Sequence, residues 1–474
     1  MMLSSAIRFA GLGLPLLLLP ACSLAPAYDR PGLPVPPSVA SDAAGAYGNA
    51  GGDPAVFGAG WRDFFKDARL QELIALSLEH NRDLKIAALA VAEARALYGV
   101  QNADRFPQLD AEGSGGWTGD FRGASSRTYE VAAVPFFDLD LFGRLKNMSE
   151  SALQSYLGTK EAEKAVRIAL VSQVAQAYLT ETLAEERRQL AADTLESWRK
   201  SFSFIERRVQ SGQSSLLDME QARSMIEAAS AAVAEREREA VQAGNALRLL
   251  TGSFERRELP PVTPLRSLTF AALPQGIAST ALLNRPDVME AEHALLAANA
   301  DIGAARAAFF PSISLTGNLG YMSADLTALF SGATSVWSFL PTVSLPLFNA
   351  GRNAANLELA EVRKESSVAR YEKSIQTAFR EVADGLMSRA SFEKQREAQE
   401  RYLASQRLVL KLAMGRYANG AISYLEVLDA QRAIFQAEQD LLGIRRDQLA
   451  NDILLFSALG GGLRAASGEP APDP

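Results

Sequence analysis

Few side chains in this chain are placed to do chemistry. Cys22 is its single cysteine. It sits where an apolar run ends, so its thiol is a candidate for covalent modification. A second candidate lies near the other terminus. Leu425, Asp429 and Arg432 are spaced four and then three apart, which puts them on one face of a helix. Glu426 adds a further negative charge beside them. An apolar side chain followed by an acid and a base offers packing and ion pairing, not bond making. The two histidines, His80 and His293, lack neighbouring Cys or His at metal-ligand spacing. They read as solvated helix surface. No P-loop, Gly-x-Ser-x-Gly or dinucleotide glycine pattern occurs, so no enzyme, no cofactor and no metal site is expected.

The setting of Cys22 is specific. Met1-Met2-Leu3-Ser4-Ser5-Ala6-Ile7-Arg8 is a short basic start, Phe9 to Leu19 is apolar, and Pro20-Ala21 precede the cysteine. This describes a secretory signal over residues 1–21. It is too short to span a bilayer, which takes about 20 apolar residues. Leu19-Pro20-Ala21-Cys22 also resembles a bacterial lipobox, which implies an acylated Cys22 as the first mature residue. Ser23, by resemblance to lipoprotein sorting, implies the outer membrane. Residues 22–60 are rich in Pro, Ala and Gly and read as an extended, lipidated lead-in. Residues 467–474 read as a flexible tail.

Composition is that of a water-soluble average: 48% hydrophobic, 22% charged, net charge −7. The acidic balance argues against nucleic acid as a partner. No window after the signal approaches a transmembrane helix, so a membrane crossing would have to use strands in a closed barrel.

The elements that must position the candidate residues come in two copies. Gly143-Arg144 returns as Gly351-Arg352, Gly212 as Gly420, Ser215 as Ser423, Leu217 as Leu425 and Gly252 as Gly460, each 208 residues later. Asn81-Arg82 returns as Asn284-Arg285, and Phe106-Pro107 as Phe310-Pro311, at slightly smaller offsets. A near-constant offset predicts two structural repeats, 61–252 and 277–466, joined by a linker over 253–276. In each repeat a proline-free run, Lys146–Val209 and Arg352–Tyr417, predicts a helix of roughly 95 Å. Helices that long imply coiled coils or stacked helical repeats. Shorter helices are expected over Leu70–Arg105, Ser215–Leu250, Ile277–Ala308 and Ser423–Leu459. In copy one, Leu217, Gln221 and Ser224 occupy the positions of Leu425, Asp429 and Arg432, so the charged pair is not duplicated.

Between the shorter and longer helices the period changes to two. Leu109, Ala111, Gly113, Gly115 and Trp117 alternate with Gln108, Asp110, Glu112 and Ser114. Ile313, Leu315, Gly317, Leu319 and Tyr321 alternate with Ser312, Ser314, Thr316 and Asn318. Return runs follow: Phe137, Leu139, Leu141 against Asp138, Asp140, then Val343, Leu345, Leu347 against Thr342, Ser344. Strand pairs are thus expected within 108–142 and 312–348, as outer-membrane strands. Asp138 and Asp140 are expected to face a wet interior. Four strands cannot close a barrel, and open edges cannot face lipid. Copies of the chain must therefore combine; two give eight strands and a filled interior, and three give twelve and a lumen.

These motifs together resemble the TolC/OprM/NodT outer-membrane factors over nearly the whole mature chain. Trp61, Phe65, Leu70, Leu73-Ile74, Asn81 and Asp83-Leu84 match the opening helix pattern. Phe106-Pro107 and Phe310-Pro311 match the lead-ins to the strand pairs. Asp140-Leu141-Phe142-Gly143-Arg144 and Pro346-Leu347-Phe348-Asn349-Ala350-Gly351-Arg352 match their ends. The run from Gly420 to Arg432 resembles the segment that closes the periplasmic end. One departure is Phe136-Phe137, where the family commonly shows a Ser-Trp pair. The resemblance implies a mainly α protein with a membrane β part: a homotrimer with a long-helix α-barrel in the periplasm under an outer-membrane β-barrel, four strands per protomer. It implies the passive exit duct of a tripartite pump for drugs or other small toxic compounds. Its implied partners are a periplasmic adaptor, an inner-membrane resistance-nodulation-division transporter and outer-membrane lipid. It also implies that Leu425, Glu426, Asp429 and Arg432 face the axis. Three Leu425 side chains would form an apolar constriction, with Asp429 and Arg432 pairing between neighbouring helices. Two other readings stay open: a channel for type I protein secretion or metal export, and a trimeric coiled-coil adhesive protein.

Overall fold

A computed structural model describes residues 23–40, 60–121, 123–254, 258–274 and 276–464. The segment expected as a signal (1–21), Cys22 and the expected tail over 467–474 lie outside the described residues. In chain order the elements are β1 Ser38–Ala40, α1 Trp61–Phe64, α2 Ala68–His80, α3 Arg82–Ala103, β2 Gln108–Gly119, β3 Ser125–Leu139, α4 Arg144–Gln210 and α5 Leu216–Thr251. After the linker come β4 Gly276–Ala278, a 3₁₀ turn at Ser279–Asn284, α6 Pro286–Ala307, β5 Ser312–Ser323, β6 Ser335–Ser344, α7 Arg352–Ala418 and α8 Tyr424–Ala458. Among the described residues no helix is long and apolar enough to cross a membrane.

The two long helices have 67 residues each, about 100 Å at 1.5 Å per residue. Two helices expected as single pieces are broken. Leu70–Arg105 splits at Asn81, whose side-chain oxygen accepts from the backbone N–H of Asp83 (2.9 Å) and Leu84 (3.0 Å) and so caps α3. Ile277–Ala308 starts later, at Pro286. A residue before proline is pushed out of the helical region, so Arg285 ends the preceding turn and Pro286 opens α6. The strands also stop short of the expected ends, at Leu139 and Ser344. The Asp140 carboxylate then accepts the Lys146 backbone N–H at 2.7 Å, and Asp138 lies 3.7 Å from Arg144. Both acids thus also tie the end of β3 to the start of α4.

The chain divides into two compact units, each drawing on both repeats. One holds residues 23–29, Ala96–Gln154 and Leu296–Glu365. Its centre is an antiparallel sheet in the order β2-β3-β5-β6. The hairpins of the two repeats meet at β3 and β5, with register from Tyr129↔Ser323 to Leu139↔Ile313. At the base of the sheet the rings of Phe142 and Phe310 stack at 4.6 Å.

The other unit is helical, within Arg30–Arg95, Ser155–Leu295 and Ser366–Pro474. Its core includes Leu70, Ile74, Val174, Tyr178, Ile375, Val382 and Ile453, all fully buried. Phe64, Phe65, Phe270 and Phe456 cluster, with Phe64 and Phe456 stacked at 4.1 Å. The β1 strand pairs with β4, Ser38↔Ala278 to Ala40↔Gly276. The repeats use different groups for one task. The carbonyl of Leu250 near the end of α5 accepts from Ser77 Oγ and Asn81 Nδ2, both at 2.9 Å. The matching carbonyl of α8, Ala458, accepts from Arg285 Nη1 at 2.9 Å. Arg285 is buried and also binds Asp287 and Glu381, at 2.7 and 2.8 Å.

Candidate functional site

Two surfaces carry the candidate function. The first is the sheet. Its register pairs odd residues with odd and even with even across all four strands, for example Leu109↔Pro135, Val131↔Tyr321 and Leu319↔Trp337. Side chains alternate between faces, so parity assigns each residue to a face. The odd face carries Leu109, Val131, Phe137, Leu139, Ile313, Leu315, Leu319, Phe339 and Val343, with Trp117, Tyr129, Tyr321 and Trp337 toward one end. Leu109, Trp117, Leu319, Trp337 and Val343 are each more than 60% exposed, which no water-facing sheet would sustain. The even face is the more polar one: it carries Gln108, Asp110, Glu112, Ser114, Thr128, Glu130, Asp138, Ser314, Thr316, Asn318, Ser338 and Thr342, with Val134, Phe136, Met322, Val336 and Leu340 among them. Its charged residues in the described strands are all acidic. Asn318 Nδ2 donates to Glu130 Oε1 at 2.6 Å across β5 and β3.

The second surface is the pair of turns, α4 to α5 and α7 to α8. Each reverses through a left-handed glycine, Gly212 at φ 74° and Gly420 at φ 71°. There the N–H of the next residue returns to a helix carbonyl, Gln213 to Arg208 at 2.8 Å and Ala421 to Arg416 at 2.9 Å. That geometry explains why these glycines repeat. Ser215 then caps α5 in a reciprocal box with Asp218. Ser423 makes no side-chain cap bond at α8.

The turns are pinned to each other. Arg208 Nη1 donates to the Ala418 carbonyl at 3.2 Å, and its guanidinium lies over the Tyr417 ring at 5.2 Å. The Tyr417 hydroxyl and Ser214 Oγ are 2.7 Å apart, and Ser214 Oγ donates to Asp218 at 2.8 Å. The Tyr417 and Tyr424 rings approach to 5.2 Å. Burial, and then the negative charge that Tyr417 and Asp218 can bear, push the Tyr424 hydroxyl up to about 12. Beneath the pins, Trp198, Ile205, Met225, Tyr424, Val427 and Leu428 form a buried core.

On α8 the residues singled out by spacing share the exposed side, opposite Tyr424, Val427, Leu428 and Gln431. Leu425 is 47% exposed, and Glu426, Asp429 and Arg432 are exposed beside it. Asp429 and Arg432 pair within α8 at 3.3 Å, because a three-residue spacing already brings the charges together. Arg432 Nε also lies 3.0 Å from Met225 Sδ of α5. The pins at Arg208, Ser214 and Tyr417 were not visible by spacing. The one signal that pointed at them was the repeated Gly212 and Gly420.

With this geometry in place, comparison with known proteins is informative. The family model described as "OEP: Outer membrane efflux protein" matches residues 73–253 and 277–461. The chain is 49% identical to "Cation efflux system protein CusC" of Escherichia coli (strain K12), covering 94% of this chain and 97% of that one. It is 45% identical to "Probable outer membrane lipoprotein SilC" of Salmonella typhimurium, covering 93% and 95%. Among solved structures it is similar to the open-state MtrE outer membrane channel of Neisseria gonorrhoeae: TM-score 0.86, 35% identity, 94% of this chain and all of that one.

Proposed function

The chain belongs to the outer membrane efflux protein family, and from that premise we propose that three copies form the exit duct of a tripartite efflux pump. The protein is an outer-membrane efflux channel component. The observation that carries the finer reading is the parity of the sheet. Its odd face suits hydrocarbon and its even face suits water, while β2 and β6 remain as outer strands. An unpaired edge in lipid costs several kcal/mol per backbone group. Joining β2 of one copy to β6 of the next removes the edges, and twelve strands enclose a lumen. Purified protein in planar bilayers should give discrete conductance steps; reconstituted protein with none would contradict this reading.

Transport through such a duct is passive. Its energy comes from an inner-membrane resistance-nodulation-division transporter, reached through a periplasmic adaptor. The turns carry the control: three Leu425 side chains narrow the end, and the Arg208–Tyr417–Ser214 pins hold it. Asp429 and Arg432 trim the rim rather than lock it.

Small toxic organic compounds are the first cargo class. A second class, metal cations, is favoured by one observation: Asp110, Glu112 and Glu130 line the even face, and among the described strand residues that face carries no cationic side chain. A relative named as a cation efflux protein accords with it. Neutralising the three together (Asp110→Asn, Glu112→Gln and Glu130→Gln) should move the reversal potential in a potassium chloride gradient toward anions. An unchanged potential would place selectivity elsewhere.

Cys22 carries the lipid, with acyl chains contributing about 0.8 kcal/mol per buried CH₂. Mass spectrometry of the mature N-terminus should find a blocked, acylated cysteine. A free terminus at Ser23 would refute it.

A further inference from the structure

Two glycines of the outer strand β2 are not required by any contact among the described residues. A Cβ on Gly116 would meet nothing within 4 Å, and one on Gly113 nothing nearer than 4.0 Å. Glycine inside a strand weakens it and often marks a close approach by another backbone. The second repeat shows what approaches. Phe106-Pro107 answers Phe310-Pro311, which puts Gly113 and Gly116 in the places of Gly317 and Gly320. Those two are crowded at the joint between the repeats. A Cβ on Gly317 would lie 2.8 Å from Pro135 Cγ, and one on Gly320 would lie 2.7 Å from Ala132 Cβ. Both neighbours belong to β3. Leu141-Phe142 answers Leu347-Phe348, which puts Pro341 of β6 in the place of Pro135.

We infer that the joint between copies repeats the joint inside the chain: β6 runs antiparallel to the next copy's β2, with Pro341 opposite Gly113 and Leu340 opposite Ser114. Odd residues again meet odd, so each face of the sheet continues unbroken, and Trp337 stands opposite Trp117. The strand ends also coincide, Ser335 with Gly119. Registers shifted by two residues fail on physical grounds. One sets the Pro341 ring against Ala111, which carries the Cβ that Gly317 lacks opposite Pro135. The other fails on strand tilt. Register leads from Gln108 to Phe136, then to Thr316 and Leu340. The inferred pair then lands on Ser114, so each copy adds a stagger of about six residues and three copies about 18. At about 3.3 Å per residue and about 4.8 Å between strands, twelve strands then tilt by about 45°. Barrel strands tilt by roughly 35–45°. Leu340 opposite Gly116 would need about 54°.

This rests on the reading that three copies close through β2 and β6, and the test separates the two. Native mass of each full-length variant first establishes three chains; any other stoichiometry defeats that reading itself. Leu340→Cys is combined with Ser114→Cys, with Glu112→Cys or with Gly116→Cys, and each protein is oxidised. All four positions lie on the even face, and Leu340 is exposed. Directly opposite residues come within disulfide reach, and neighbours two residues along do not. Leu340→Cys with Ser114→Cys should give a ladder of two and three joined chains on a non-reducing gel, about tenfold stronger than either shifted pair. A trimer joined mainly through a shifted pair, or through none of the three, overturns the inference. Gly113→Ala supplies a readout without introduced thiols. Its methyl has room in one chain but meets Pro341 of the next, so the trimer fraction should fall about tenfold. Pro341→Ala should restore it. An undiminished trimer in Gly113→Ala, or no rescue by Pro341→Ala, would equally overturn the inference.

Discussion

Arg208→Ala is expected to open the channel. The side chain makes a charged hydrogen bond to the Ala418 carbonyl and a cation–π contact with Tyr417. Such contacts contribute roughly 1.5–3 and 0.5–2 kcal/mol. Losing about 3 kcal/mol moves a closed-to-open equilibrium by about a hundredfold, at 1.4 kcal/mol per decade. The expected readout is a large rise in open probability in planar bilayers, with more antibiotic leak in cells and an unchanged yield of assembled protein. Tyr417→Phe should give a smaller rise, because it keeps the ring under Arg208 and removes only the bond to Ser214. Asp429→Ala with Arg432→Ala should do less again. That pair is exposed and closed within one helix, and such pairs contribute about 0–1 kcal/mol. If this double variant opens the channel more than Arg208→Ala does, the rim is the lock and the pins are not.

Arg285→Ala is expected to cost the helical unit about 3 kcal/mol. The guanidinium is buried and holds Asp287, Glu381 and the Ala458 carbonyl together. Removing it leaves two carboxylates near each other and a helix-end carbonyl without its donor, and breaking a buried pair typically costs 3–5 kcal/mol. The lower end is expected because Asp287 and Glu381 are partly solvated, at 42% and 40% exposure. Thermal unfolding should begin at a clearly lower temperature. Arg285→Lys should rescue only in part, since one ammonium cannot reproduce the fork that serves three acceptors. A melting curve identical to wild type would mean that the α8 end is held by its apolar contacts alone.

Much of this architecture was legible because it rests on local rules. Gly212 and Gly420 repeat because a left-handed turn residue is needed twice, and the turn follows from the glycine. The odd and even residues of 108–119 and 312–323 announced a two-faced sheet before any pairing was known, because strand side chains alternate whatever the partner. The break at Asn81 was hidden inside a helical pattern. Asn81 ends one helix and caps the next, while its amide is occupied by Leu250, far away in sequence. The pairing of Ser38–Ala40 with Gly276–Ala278 was hidden for the same reason: neither three-residue segment has a period to read. At the turns, spacing found Leu425, Glu426, Asp429 and Arg432 as one exposed face. It could not find Arg208, Ser214 and Tyr417, which become neighbours only when two helix turns 208 residues apart come together.

Native mass spectrometry of the conducting, detergent-solubilised protein tests the central claim most directly. Four strands per chain with two outer strands require copies to close the sheet. The account predicts a single dominant species with the mass of three chains and their acyl groups. A folded one-chain species that carries the same conductance would contradict it.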